Sequence, residues 1–144
     1  VSFESPKSIL AEEQIMNRYI VGREDCVEMH PFAGVTMLAT CGEKMTLSLV
    51  EMEPHSIIAE HSHPHEQVGY MIEGEAEFVI AGKSYRVRAG QMWRLPGGVP
   101  HKVIALNKPV RAVDAFYPIR TDMLSPESWG SLSPRENPPE SANP

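Results

Sequence analysis

The segment His61-Ser62-His63-Pro64-His65-Glu66-Gln67 gathers three imidazoles and a side-chain amide within a short stretch. On extended backbone, side chains two residues apart point the same way, so His61 and His63 can present ring nitrogens to one point. Imidazole suits first-row divalent ions, and Gln67 adds a neutral carbonyl oxygen within reach. Taken alone, a His-x-His pair on a strand is more often a satisfied polar pair than a chelate. A second segment, from Gly90, runs through Pro96-Gly97-Gly98-Val99-Pro100 and delivers His101. Its Pro and Gly residues form a tight turn that aims His101 inward. His65 shares the parity of His61 and His63, but the chain turns after Pro64, so it is either a ligand or proton shuttle or a plain loop residue. Further on, Asp-Ala-Phe-Tyr-Pro-Ile-Arg puts Asp114 and Phe116 on one strand face, with Arg120 following. A carboxylate in so apolar a run needs a reason. Either it is an edge-strand Asp paired with Arg120, or it is a general base near a metal with Arg120 gripping a substrate oxygen.

Strands must hold these groups. Short apolar or alternating runs cover Tyr19 to Val21, Cys26 to His30, Val35 to Thr40, Met45 to Met52, Val68 to Ile72, Glu75 to Ala81, Ser84 to Val87, Met92 to Leu95, Lys102 to Leu106 and Val110 to Tyr117. Gly, Pro and Asn separate them, which predicts an all-β sandwich or barrel. Parity with Gln67 and His101 turns Gly69, Met71, Val103 and Ala105 inward, together with Ala112, Asp114 and Phe116. Met71, Met92, Trp93, Phe78 and Phe116 would make walls suited to a flat, largely carbon ligand. On the opposite faces, Val68, Tyr70, Ile72, Val113, Ala115 and Tyr117 are also apolar, so something covers the outside, and a homodimer is expected.

With 144 residues, 42% of them hydrophobic, the chain is sized for one core domain. That domain is placed at 19–120, after an N-terminal arm or short helix (1–18) and before a Pro-rich C-terminal extension (121–144). A net charge of −6 without a Lys/Arg run argues against nucleic acid as a partner. No apolar stretch approaches the roughly 20 residues that cross a bilayer, so no membrane partner is expected. The two cysteines, Cys26 and Cys41, read as thiols, and no secretory pattern starts at Val1, so a cytoplasmic location is expected.

The two histidine segments resemble the cupin superfamily, whose motifs are G-x5-H-x-H-x3,4-E-x6-G and G-x5-P-x-G-x2-H-x3-N. His61, His63 and Gly74 fall in register with the first, and Gly90, Pro96, Gly98 and His101 with the second. The resemblance implies a cupin-type antiparallel β-sandwich or barrel, a jelly roll, with one divalent metal ion per subunit: zinc ahead of nickel, iron or manganese. Its ligands would be His61, His63, Gln67 and His101. Three departures stand out: His55 for the leading Gly, Ala105 for the Asn, and Gln67 for the Glu. The last is chemical. Three imidazoles and an amide leave a divalent ion its full charge, a stronger Lewis acid for an enolate oxygen.

Two metal-dependent chemistries fit. Small pectin-degradation cupins of the KdgF type, which linearise 4,5-unsaturated uronates, are similar in their three His, one Gln and a late Asp, Phe and Arg, matching Asp114, Phe116 and Arg120. Monocupin cyclases of bacterial aromatic polyketide pathways are similar too. Both need a polarised carbonyl, a held enolate and one moved proton. A uronate's hydroxyls would lose roughly 1–3 kcal/mol each if left unpaired by apolar walls. On that ground the sequence favours the cyclase, with Asp114, Arg120 and His65 as catalytic groups and Phe116, Met71, Trp93 and Phe78 as the substrate-binding wall. Uronate linearisation is the alternative, followed by an iron-dependent dioxygenase or a non-catalytic binding cupin.

Overall fold

Alternating burial along each segment folds the chain into two antiparallel sheets packed face to face. A computed structural model describes residues 19–123, so the expected N-terminal arm and nearly all of the C-terminal extension lie outside the described residues. The strands are β1 (Val27–Met29), β2 (Val35–Cys41), β3 (Thr46–Met52), β4 (Ile57–His61), β5 (Glu66–Glu73), β6 (Glu75–Ile80), β7 (Lys83–Arg88), β8 (Met92–Leu95), β9 (His101–Ala105) and β10 (Val110–Tyr117). One sheet has the order β1-β2-β3-β10-β5-β8 and the other β4-β9-β6-β7. This is a jelly-roll β-sandwich.

The facing sides bury Met71, Ala76, Phe78, Trp93, Leu95, Val103, Ala105, Val110 and Ala112 in one cluster. Each large side chain there contributes about 1.5–3 kcal/mol. A smaller cluster of Ala39, Phe116 and Met123 closes one end, where Met123 ends the single-turn helix Thr121–Met123.

Two elements differ from the sequence expectation. Tyr19 to Val21 is not a strand, because Gly22 accepts a hydrogen bond from the Asp25 N–H and starts the turn Arg23–Asp25. Conversely, β4 is absent from the runs read above. Consecutive Ile57 and Ile58 blur its alternation, and it is an edge strand whose register against β9 shifts between Ile58 and His61. Met92 also corrects a wall assignment: it is 74% exposed, whereas its neighbour Trp93 is buried. Together with Leu47, Val68, Tyr70, Val113 and Ala115, Met92 lines an apolar groove on the outer face of the six-stranded sheet.

Candidate metal centre

β4 ends on His61 and β9 begins on His101, and the two residues are paired across the sheet. His63 follows in the bend before β5. The ligand atoms of these three histidines all lie within 4.8 Å of one another. Their placement depends on two loops that are stitched together. The Gly98 N–H donates to the His63 carbonyl at 2.8 Å, with Gly98 at φ +84, a conformation that a side chain would strain. A Cβ on Gly97 would lie 2.2 Å from the Pro64 carbonyl oxygen, so the backbones approach as closely as only glycine permits.

Every ring is oriented from behind. The Nδ1–H groups of His61, His63 and His101 donate to the carbonyls of Ala59 (2.8 Å), His65 (3.0 Å) and Val99 (2.9 Å). A carbonyl can only accept, so in each neutral ring the proton sits on Nδ1 and Nε2 offers a lone pair. Nε2 of His101 is buried without a hydrogen-bond partner. Burial, with Arg120 and His101 adding to it, pushes His63 down to about 4, and burial lowers His101 as well.

Gln67 Oε1 stands 3.0 Å from His63 Nε2, while Gln67 Nε2 donates to Asp114 Oδ1 at 2.9 Å. Two acceptors therefore face each other. A cation held by both would relieve that contact. The donor set of His61, His63, His101 and Gln67 fits a divalent metal.

Behind Gln67 lies a hydrogen-bonded chain. Asp114 of β10 is opposite Gly69 of β5, and Gly69 is opposite Trp93 of β8. The missing side chain at Gly69 lets the Trp93 indole N–H reach over and donate to Asp114 Oδ1 at 2.7 Å. Burial raises Asp114 to about 6, against the pull of both donors. The edge-pair expectation for Asp114 is thus corrected: β10 is interior, between β3 and β5, and Arg120 pairs instead with Asp122 through Nη2–Oδ2 (2.6 Å) and Nε–Oδ1 (3.2 Å). The Arg120 guanidinium lies 4.7 Å from the centre of the Phe116 ring.

A cavity of about 50 Å³ runs into the sandwich, lined by His61, Gln67, His101, Asp114 and Arg120 and by the expected wall residues Met71, Phe78, Trp93 and Phe116. His65 stays outside the three-histidine group. It serves His63 through its backbone carbonyl, and its ring centre is 5.6 Å from that of His63. Ser48 is a lining residue that the sequence reading passed over. Its hydroxyl is buried and unpartnered, opposite Asp114, and the alternation of β3 (Thr46 and Ser48 in, Leu47 out) was the available signal. His55, at the motif's glycine position, has φ +65, which explains why glycine is usual there.

Comparison with known proteins agrees with this fold. Residues 48–116 match the Cupin domain family. The pectin degradation protein KdgF of Dickeya dadantii is 26% identical over 110 residues, which is 76% of this chain and all of that protein. Among solved structures, KdgF from Halomonas sp. superposes with a TM-score of 0.63 at 24% identity, covering 67% of this chain and 90% of that one. An RmlC-like cupin from Shewanella frigidimarina gives a TM-score of 0.68 at 20% identity, covering 75% and 97%.

Proposed function

The chain belongs to the cupin superfamily, and on that premise we propose that it is a metal-dependent, non-redox enzyme that linearises 4,5-unsaturated uronates. The observation that carries this reading is the Arg120 guanidinium, folded over Phe116 onto the cavity that His61, Gln67, His101 and Asp114 also line. A cationic fork beside a cation site selects an anionic ligand. The likeness to a pectin degradation protein supports the sugar acid over the polyketide that the apolar walls suggested.

A divalent ion held by His61, His63, His101 and Gln67 would supply Lewis acidity toward a carboxylate and toward an oxygen gaining negative charge. The chain's own groups do the rest. Asp122 engages Nε and Nη2 of Arg120, which leaves Nη1 for the substrate carboxylate. Phe116 and Met71 pack against the carbon face of the ring and exclude water. Neither Gln67 nor Trp93 uses Asp114 Oδ2, so that oxygen can take the proton of the hemiacetal hydroxyl as the bond from the anomeric carbon to the ring oxygen breaks. The ring oxygen leaves as an enolate oxygen, and the ketone forms when the proton taken by Oδ2 is delivered to the neighbouring carbon of the former double bond, so that no proton is gained or lost overall.

The test follows the ultraviolet absorbance of the substrate's 4,5-double bond with zinc-loaded protein. Absorbance is expected to fall, and to persist after chelation or in Arg120→Ala. No loss with metal-loaded protein overturns the reading. Cyclisation of a poly-β-keto chain by the same sample would put the polyketide reading in its place.

A further inference from the structure

Asp114 is buried, yet its two side-chain hydrogen bonds, from Trp93 and from Gln67, both end on Oδ1. The chemistry of the three groups gives this chain a direction. An indole N–H only donates and a carboxylate only accepts. The amide must therefore turn its NH₂ toward Asp114, and its oxygen is left facing the histidines. We propose that Trp93, acting through Asp114, is a positioning residue that fixes which end of the Gln67 amide faces the metal position.

The need for such a device follows from the metal-free protein. With Nδ1–H committed to the His65 carbonyl, His63 offers Gln67 a lone pair at Nε2. Left free, the amide would flip and donate its NH₂ to that lone pair, gaining a hydrogen bond and presenting a group that cannot ligate. The chain from Trp93 opposes the flip and keeps an acceptor aimed at an acceptor, a preorganised arrangement that a cation completes. Gly69 is part of the device. A Cβ there would lie 2.2 Å from Trp93 Nε1 and 2.4 Å from Asp114 Oδ1, in the space the hydrogen bond occupies. Trp93 was expected to be a substrate wall. It does line the cavity, but its polar edge is spent on Asp114.

This inference rests on the metal reading above, and the experiment uses zinc alone, so the two can fail separately. Zinc affinity is measured by competition with a chromophoric chelator, with thermal melting as the check on folding. Asp114→Leu is expected to bind zinc about 10–100-fold more weakly, the usual cost of losing a ligand's supporting partner. Asp114→Asn keeps an oxygen that can accept both bonds and is expected to stay within a few-fold of wild type. Trp93→Phe keeps the packing against Phe78 (ring centres 4.7 Å apart) and is expected to fall between them. In a Gln67→Ala background, Asp114→Leu is expected to add no further loss, because there is no amide left to orient. A folded Asp114→Leu that binds zinc as wild type does, or a loss equally large without Gln67, overturns the proposal while leaving the metal site intact. A wild-type protein that takes up no zinc overturns the metal reading and this inference with it.

Discussion

Gly69→Ala tests the close approach of three strands at the site. Elsewhere in a strand this change gains about 0.5–1 kcal/mol, since glycine loses more freedom on folding. Here the new Cβ would lie 2.1 Å from Trp93 Cε2 and 2.4 Å from Asp114 Oδ1. Ordinary carbon contacts sit near 3.5–4.0 Å, so the indole must retreat by about 1.5 Å. Retreat breaks the 2.7 Å bond to Asp114, and the indole has little room because it packs, tilted, against buried Phe78. Overpacking costs about 1–3 kcal/mol, and a lost hydrogen bond to a charged group about 1.5–3. After the backbone gain is subtracted, a net loss of about 2–5 kcal/mol remains. Urea unfolding followed by circular dichroism reads this as a lowered midpoint at unchanged slope. The indole fluorescence of Trp93 should shift as its N–H loses the carboxylate. An unchanged or raised midpoint would refute the argument, because it would mean that Trp93 does not occupy the space above Gly69.

His55→Gly removes a side chain from φ +65 and is expected to stabilise the protein by about 1 kcal/mol; a lower melting temperature would count against the strained turn. Ser48→Ala deletes a buried, unpartnered hydroxyl and should raise stability by about 1 kcal/mol, so a destabilised variant would mean that the hydroxyl has a partner. His61→Ala is expected to abolish stoichiometric metal, read by elemental analysis, while leaving the far-ultraviolet spectrum intact; retained metal refutes the ligand set. The exposed Leu47, Val68, Tyr70 and Met92 on the outer face predict self-association, and sedimentation showing only monomer at micromolar concentration would dispose of it.

The convergence of His61, His63 and His101 was legible from the spacing of two segments that together match the cupin motifs, and not from strand parity alone, since His63 lies past the end of β4. Wall residues Met71 and Phe116 followed from strand parity, whereas Trp93 and Met92 were named by residue type alone, and only Trp93 is buried. The partners of Asp114 could not be read. Its contacts come from strands remote in sequence, and only the register that sets Asp114 against Gly69, and Gly69 against Trp93, brings the three together. The edge pairing of Asp114 with Arg120, one of the two readings the sequence left open, failed for the same kind of reason: Arg120 has its partner Asp122 two residues away, past the end of the strand, where parity gives no guidance. β4 escaped notice because an edge strand with one neighbour needs little alternation to form, so its pattern is weak where its role, carrying His61, is large.

The 2.9 Å bond between Gln67 and Asp114 also limits how this site can change over evolutionary time. The cupin motif commonly carries Glu where this chain has Gln67, and exchanging one for the other looks like a conservative step. Placed here, a Glu carboxylate would meet Asp114 Oδ1 at hydrogen-bonding distance inside the protein, and two acids so placed cannot both ionise. The single exchange would trap a proton or splay the strands, and only a second substitution at 114 would relieve it. A Glu at 67 therefore calls for a neutral residue at 114, and the intermediate between the two forms that avoids a buried pair of acids is Gln at 67 with a neutral residue at 114.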